Sequence, residues 1–174
     1  DYSGGIWQYT TGDTNQTQAT AVHYARGIRN AVAIDWNPEV GELFAVQHGR
    51  DQLHQFFPDL YTVEDNAELP AEEFLLVEKD SEQGWPYCYY DQRRGEYVLA
   101  PEYGGDGEQG GRCDTFPRPK YGFPGHWAPN GLLFYSGESF PERYRGGAFV
   151  AFHGSWNRAP LPQAGFNVSF VPYE

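Results

Sequence analysis

Of the 174 residues none is methionine and only two are cysteine. A chain that opens at Asp1 and carries no Met cannot include its own initiator, so a mature product or a fragment is expected. No Cys-x-x-Cys and no His pair at i, i+4 is present, which excludes the common zinc arrangements. Positive charge is scarce too. Twelve Lys and Arg stand against 24 Asp and Glu, a net charge of -12 that repels phosphate backbones and anionic membrane surfaces. No nucleic-acid role is expected. No apolar run approaches the roughly 18 residues of a membrane helix, and no signal-peptide pattern opens the chain. Charged residues make up only 21% and helical 3.6 periodicity is rare, which excludes disordered, coiled-coil and helical-bundle classes. Gly-x-Ser-x-Gly, phosphate-loop and dinucleotide fingerprints are all missing, so serine-hydrolase, nucleotide and nicotinamide chemistry lack support.

What is abundant is aromatic and turn-forming: 17% aromatics, 21 Gly and 13 Pro. Such chains are β proteins. Seven short apolar segments have strand length and composition: Gly5 to Tyr9, Ala31 to Trp36, Leu43 to Gln47, Phe74 to Glu78, Gly131 to Tyr135, Gly147 to Phe152 and Asn167 to Tyr173. Helical turns are expected only around Arg50 to Phe56 and Glu142 to Tyr144. The fold class is therefore all-β, with one domain over 1–174. The two cysteines, Cys88 and Cys113, flank a Gly-rich loop and are expected to form a disulfide, with two buried free thiols as the alternative. With the sequons at Asn15 and Asn167, this favours a secreted or periplasmic protein.

An internal echo organises the strands. From Asn30 the chain reads Asn-Ala-Val-Ala-Ile-Asp-Trp, a turn, then Gly41 to Gly49 ending in His48-Gly49; from Asn130 it reads Asn-Gly-Leu-Leu-Phe-Tyr, a longer turn, then Gly147 to Gly154 ending in His153-Gly154. The hairpin recurs after about two of the roughly 40 to 50 residues that make one propeller blade. Loops at one end of a radial β array gather round its channel. Ligands are expected there.

Three polar constellations fall on those loops. Gly27-Ile28-Arg29-Asn30 and Gln47-His48-Gly49-Arg50-Asp51 bracket the first hairpin, where Arg29 offers a planar fork, Asn30 a donor and an acceptor, and Gly49 a backbone open to close approach. An ordinary turn with capping groups is the alternative. Phe123 to Asn130 and His153 to Arg158 mix His, Trp and amides, a combination suited to a sugar ring or planar cofactor, with core packing as the alternative for each Trp. The acidic clusters at Glu64-Asp65, Glu68, Glu72-Glu73, Glu78, Asp80 and Glu82 read as a solvated face. The Gly104 to Glu108 loop has too few alternating oxygens for a recognised calcium loop.

Together, Gly27 to Asn30, His48-Gly49-Arg50-Asp51, Gly84-Trp85-Pro86-Tyr87-Cys88 and Gly146 to Arg158 resemble the soluble glucose/sorbosone dehydrogenases, which use pyrroloquinoline quinone. The sorbosone-dehydrogenase-like branch is most similar, through Pro101 to Gly107, His126 to Asn130 and His153 to Arg158. This resemblance implies a six-bladed β-propeller of which the chain is about half to two-thirds. It implies hydride transfer from an aldose or related sugar to the quinone, with Ca2+ beside it and an external electron acceptor. Cofactor contacts are expected from Arg29, Asn30, His48, Gly49, Arg50, His153, Trp156 and Arg158, calcium at the Gly49 and Arg50 carbonyls, and substrate contacts from Phe123, His126 and Trp127. The family's general-base His lies upstream of the Arg-Asn pair and has no equivalent in this chain, so missing blades from another chain or copy are expected to complete the ring. A non-catalytic carbohydrate- or partner-binding propeller and a calcium-dependent lactonase remain open as alternatives.

Overall fold

The computed structural model describes residues 4–173; Asp1 and both ends of the expected 1–174 domain lie outside them. The chain is mostly β-sheet. Its centre is a four-stranded antiparallel sheet in the order β3 (Ala31–Asn37), β4 (Glu42–Gln47), β5 (Glu72–Leu76), β9 (Tyr121–Phe123). On one side lies a sheet of β1 (Gly5–Gln8), β2 (Val22–Arg26) and β6 (Ser81–Glu82), and on the other a sheet of β10 (Pro129–Phe134), β11 (Ala148–Phe152) and β12 (Val168–Val171). A hairpin of β7 (Cys88–Asp91) and β8 (Glu96–Leu99) lies in the segment between β5 and β9. One complete blade flanked by partial ones is part of a β-propeller.

Strand alternation explains the stacking. Along β4 and β5, Phe44, Val46 and Phe74 point one way and meet Phe123, Phe134, Ala148, Val150 and Phe152. Ala45 and Leu75 point the other way and meet Ala25, Ile28 and Val77. Each buried Phe is worth roughly 1.5–3 kcal/mol over exposure, whereas an exposed ion pair is worth about 0–1 kcal/mol. Apolar packing between sheets therefore fixes how the blades sit, and the loop charges are carried on that frame.

The echoing hairpins are both present, and both shift register at their start, between Ala31 and Ala33 in one and between Pro129 and Gly131 in the other. His48 N–H donates to the Asn30 carbonyl at 3.0 Å and His153 N–H to the Ala128 carbonyl at 2.9 Å, so both His-Gly loops return to the start of their own hairpin. The His48 Nε2 lies 2.9 Å from Asn130 Oδ1, which puts the two loops at the same end.

Two expectations need correction. The acidic stretch is not one solvated face. It contains α2 (Val63–Glu68), started by a capping box in which the Thr62 side chain accepts from Asp65 N–H and the Asp65 carboxylate accepts from Thr62 N–H, both at 3.0 Å. It also contains Glu72 and Glu73, only 2% and 5% exposed on a strand paired on both sides. Of the expected helical turns, the first is shorter than its segment, α1 (Leu53–Phe56), and the second is a single 3-10 turn over Glu142–Tyr144 as expected.

Cys88 and Cys113 are bonded across 25 residues, joining β7 to the 3-10 turn at Gly111–Thr115. The chain leading into the bridge docks on the β2–β3 connection, where Trp85 N–H donates to the Gly27 carbonyl at 2.9 Å. Gly27 sits at φ +68, and a Cβ there would lie 2.7 Å from the Gly84 nitrogen, so the docking requires glycine. No helix among the described residues is long and apolar enough to cross a membrane.

Candidate functional site

At the shared end of the hairpins a cavity of about 330 Å3 is lined by Arg29, Arg50, Asp51, Gln52, Trp85, Pro86, Glu102 and Tyr103. Three segments build it. The β2–β3 connection brings Arg29, the β4–β5 connection brings Arg50 to Gln52, and a third wall comes from Trp85 and Pro86 just before β7 with Glu102 and Tyr103 inside the disulfide-closed segment. Both guanidiniums are held by named partners. Arg29 donates through Nη1 to the Gly49 carbonyl at 2.8 Å, lies 3.5 Å from the Asp51 carboxylate, and stands 5.6 Å from the Trp85 ring centre. Arg50 pairs with Glu102 at 2.5 Å and rests near the Phe57 ring. Burial works against the Glu102 charge, yet the Arg50 pairing holds its carboxyl below the ordinary range.

Asp51 ties three loops together. It receives the Asn157 amide at 2.7 Å, lies 3.2 Å from His126 Nδ1 and faces Arg29. The His126 contact is the main reason its carboxyl is lowered. His126 itself is 5% exposed, and its Nε2 lies 2.8 Å from the Asn66 carbonyl. Both ring nitrogens therefore face acceptors. Burial opposes the imidazolium, but the Asp51 carboxylate and Asn66 carbonyl outweigh it and raise His126 above its usual value. His126 and Ala128 both adopt left-handed backbone, at φ 61 and 57, and the His126 bonds help hold this strained turn.

Two buried carboxyls lie beneath. Glu72 accepts Gly49 N–H at 2.9 Å and Ala128 N–H at 3.2 Å, and burial raises its carboxyl all the same. Glu73 receives the Tyr97 hydroxyl at 2.8 Å and is pushed by burial up to about 7.

Of the expected cofactor residues, Arg29 and Arg50 face the cavity, with the Gly49 backbone behind them. The others are placed differently. Asn30 is exposed outside the cavity lining, and His48 spends its Nε2 between Asn130 and the Pro129 carbonyl at 3.1 Å. His153 is exposed and folds its Nδ1 toward the Gly154 carbonyl, and Trp156 stands beside the cavity rather than in it. Arg158 needs a correction: its buried guanidinium gives four of its five N–H groups to the Gly125, Ala67 and Pro162 carbonyls and Glu68, and it does not line the cavity. The substrate contacts also depart from expectation. Phe123 is in the core and Trp127 packs edge-on against Phe152 at 5.4 Å, both lining a separate cavity of about 600 Å3, and His126 is buried in the Asp51 network. Gly49 is glycine because a Cβ there would lie 2.8 Å from the Ala71 carbonyl oxygen, a packing demand rather than an opening for a ligand. The Gly104 to Glu108 loop uses its Asp106 carboxylate internally, accepting Glu108 and Gln109 N–H.

Sequence reasoning misses Trp85, Asp51 and Glu102 as lining residues, although all three stand in or beside the quoted motifs. Their signal is a polar or flat side chain next to a conformationally special neighbour, as with Gly84-Trp85-Pro86 and Gly49-Arg50-Asp51.

Residues 7–174 match the TrAA12-like family. An uncharacterized protein of Borreliella burgdorferi is 31% identical over 137 residues, which are 78% of this chain and 31% of that one. Among solved structures, the calcium structure of a Trichoderma reesei carbohydrate-active enzyme of family AA12 superposes with TM-score 0.70 at 20% identity, covering 95% of this chain and 42% of that one. The holo form of the pyranose dehydrogenase PQQ domain from Coprinopsis cinerea superposes with TM-score 0.60 at 20% identity, covering 88% and 38%. The chain thus spans between 31% and 42% of the length of these proteins.

Proposed function

The chain belongs to the TrAA12-like family, and from that premise we propose that it forms the cofactor-holding part of a quinone-dependent sugar oxidoreductase. The observation that carries this reading is a cavity where two guanidiniums, Arg29 and Arg50, stand beside the flat faces of Trp85 and Tyr103. That donor set fits a planar, multiply anionic quinone such as pyrroloquinoline quinone, because guanidinium forks match carboxylates and aromatic rings match its faces. Named relatives of the fold support it, including a pyranose dehydrogenase PQQ domain. When bound, the quinone supplies the two-electron acceptor for sugar oxidation.

Arg29 exchanges the Asp51 carboxylate for a ligand carboxylate, while Asp51 stays fixed by His126 and Asn157 and keeps the fork aimed. Arg50 anchors a second ligand oxygen from its side-chain pairing with Glu102. Trp85 and Tyr103 exclude water from the ligand faces. The calcium expectation does not fit the same groups as they stand: the Gly49 carbonyl already accepts the Arg29 guanidinium, and no cluster of three His, Cys, Asp or Glu suited to a metal occurs among the described residues. No step is assigned to that ion.

The whole enzyme, on this reading, is a six-bladed ring of which residues 1–174 form one partial domain. It oxidises a neutral sugar, passes electrons to an external acceptor, and works outside the cytoplasm, where the Cys88–Cys113 bridge persists. The motifs around Glu102, Trp127 and Trp156 favour the sorbosone-like branch. Titration of the chain with pyrroloquinoline quinone, followed by calorimetry, tests the reading. Binding is expected, weakened about 10- to 100-fold by Arg29→Ala or Arg50→Ala, the worth of a charge-assisted hydrogen bond. No binding, or binding that the double variant leaves unchanged, overturns it.

A further inference from the structure

Next to the charged cavity, and sharing Gln52 with it, is a smaller hollow of about 150 Å3 lined by Gln52, Gln55, Asn66, Trp156, Asn157 and Ala159. Its chemistry is different. No charged side chain lines it, four of its six residues carry amides, and the fifth is the most exposed large apolar side chain among the described residues, Trp156 at 75%. Gln52 and Gln55 are exposed, with side-chain amides that take no hydrogen-bond partner among the described residues. Gln52 also holds a left-handed backbone at φ 66 at the start of α1.

The turn that presents Trp156 is fixed on both sides of it. Ser155 Oγ accepts Asn157 N–H at 3.1 Å, the Asn157 amide donates to Asp51 at 2.7 Å, and the Arg158 guanidinium donates to the Gly125 carbonyl at 2.8 Å. The indole is thus an exposed flat surface on an immobile support. Such a surface binds without the ordering cost of a loose loop.

We propose that this hollow is a carbohydrate subsite, taking one ring of a neutral sugar on the Trp156 indole with its hydroxyls on the Gln52 and Gln55 amides. A ring whose C–H face is apolar and whose edge is ringed by hydroxyls matches an aromatic plane bordered by donor-acceptor amides. An anion is disfavoured because no cation lines the hollow. A tricyclic quinone is disfavoured by size, since 150 Å3 is half the lower end of the roughly 300–1,000 Å3 of sites that enclose a drug-sized ligand. The subsite deepens the oxidoreductase reading and rests on it for its purpose: through Gln52 a sugar held here lies beside the cavity assigned to the quinone.

The test is binding without turnover. D-glucose and cellobiose are titrated into the quinone-free chain and followed by saturation-transfer NMR and calorimetry, with Trp156→Ala, Gln55→Ala and Arg29→Ala in parallel. Each variant is also titrated with pyrroloquinoline quinone. The expected result is weak sugar binding, reduced at least about tenfold by Trp156→Ala and less by Gln55→Ala, and unchanged by Arg29→Ala. Trp156→Ala should leave quinone affinity unchanged. Absence of binding by both sugars at tens of millimolar, or equal binding by native and Trp156→Ala chains, overturns the subsite. So does loss of quinone affinity in Trp156→Ala, which would make the indole part of the cofactor cavity. If quinone binds and sugar does not, only the subsite falls; if sugar binds through Trp156 and quinone does not, the oxidoreductase reading falls and the subsite stands.

Discussion

The hairpins β3–β4 and β10–β11 have the same register shift, the same His-Gly exit and neighbouring ends, yet their polar residues do opposite work. Around the first, Arg29 and Arg50 keep their guanidiniums at the surface of a cavity, each leaning on one carboxylate. Around the second, Arg158 is buried with four acceptors and His126 has both ring nitrogens committed. A repeat in sequence thus repeated the frame and divided the labour: one loop faces the cavity and the other holds the first in place.

The sharpest way to break this contrast is to remove one arginine from each side. Arg158→Ala strands the Ala67 and Gly125 carbonyls and Glu68 without their cation, and a loss of about 3–5 kcal/mol is expected by urea unfolding, with unchanged quinone affinity in the folded fraction. Arg29→Ala should do the reverse, costing about 1 kcal/mol or less because Arg29 and its Asp51 partner both remain partly exposed to water, while weakening quinone binding. Equal destabilisation by the two would erase the distinction.

Smaller, and read through pH, is the effect of Glu73. Its folded-state value of about 7 lies above the ordinary 4.5, so the native protein keeps a proton that the unfolded chain gives up. Stability is then full below about pH 4.5 and falls as pH rises through 7. Glu73→Gln should remove a decline of roughly 3 kcal/mol, leaving the slope that comes from Glu72, whose shift has the same sign. Unfolding free energies from pH 4 to 8 that decline equally in native and Glu73→Gln chains would mean Glu73 ionises freely.

Smallest is the link between the loops. His48→Ala removes the contacts with Asn130 and the Pro129 carbonyl, at about 1 kcal/mol, and a cycle with Asn130→Ala should show coupling of about 0.5–1 kcal/mol. Additive losses would mean that the two hairpins are held together by their sheets alone.

Much of the frame was legible because strand alternation is local. Ala31 to Trp36 and Gly147 to Phe152 alternate or run apolar between turn residues, and the structure has β3 and β11 there. Val22–Arg26 escaped because His23 and Arg26 interrupt its apolar residues, and Cys88–Asp91 because its Tyr-Tyr pair lies among turn residues. α2 escaped because its acids were counted as solvated charge, although Thr62-x-x-Asp65 is a capping signal. The site was legible where a motif exposes a cation next to glycine, as at Arg29 and Arg50. It was illegible where burial depends on distant partners: Glu72 meets Gly49 and Ala128 at separations of 23 and 56 residues, and Arg158 meets Ala67 at 91. No local pattern reports such a meeting.

Glu72 touches both His-Gly regions only through backbone N–H groups, one at Gly49 and one at Ala128. A fastener of that kind is indifferent to the side chains beside it and forbids only proline at its two attachment points. Arg50 and Trp127, the neighbours of those points, can therefore be exchanged for other side chains while the loops keep their anchorage. The two loops can vary over generations, or in a library, as interchangeable parts on a fixed mount, and a change of ligand need not begin with a change of fold.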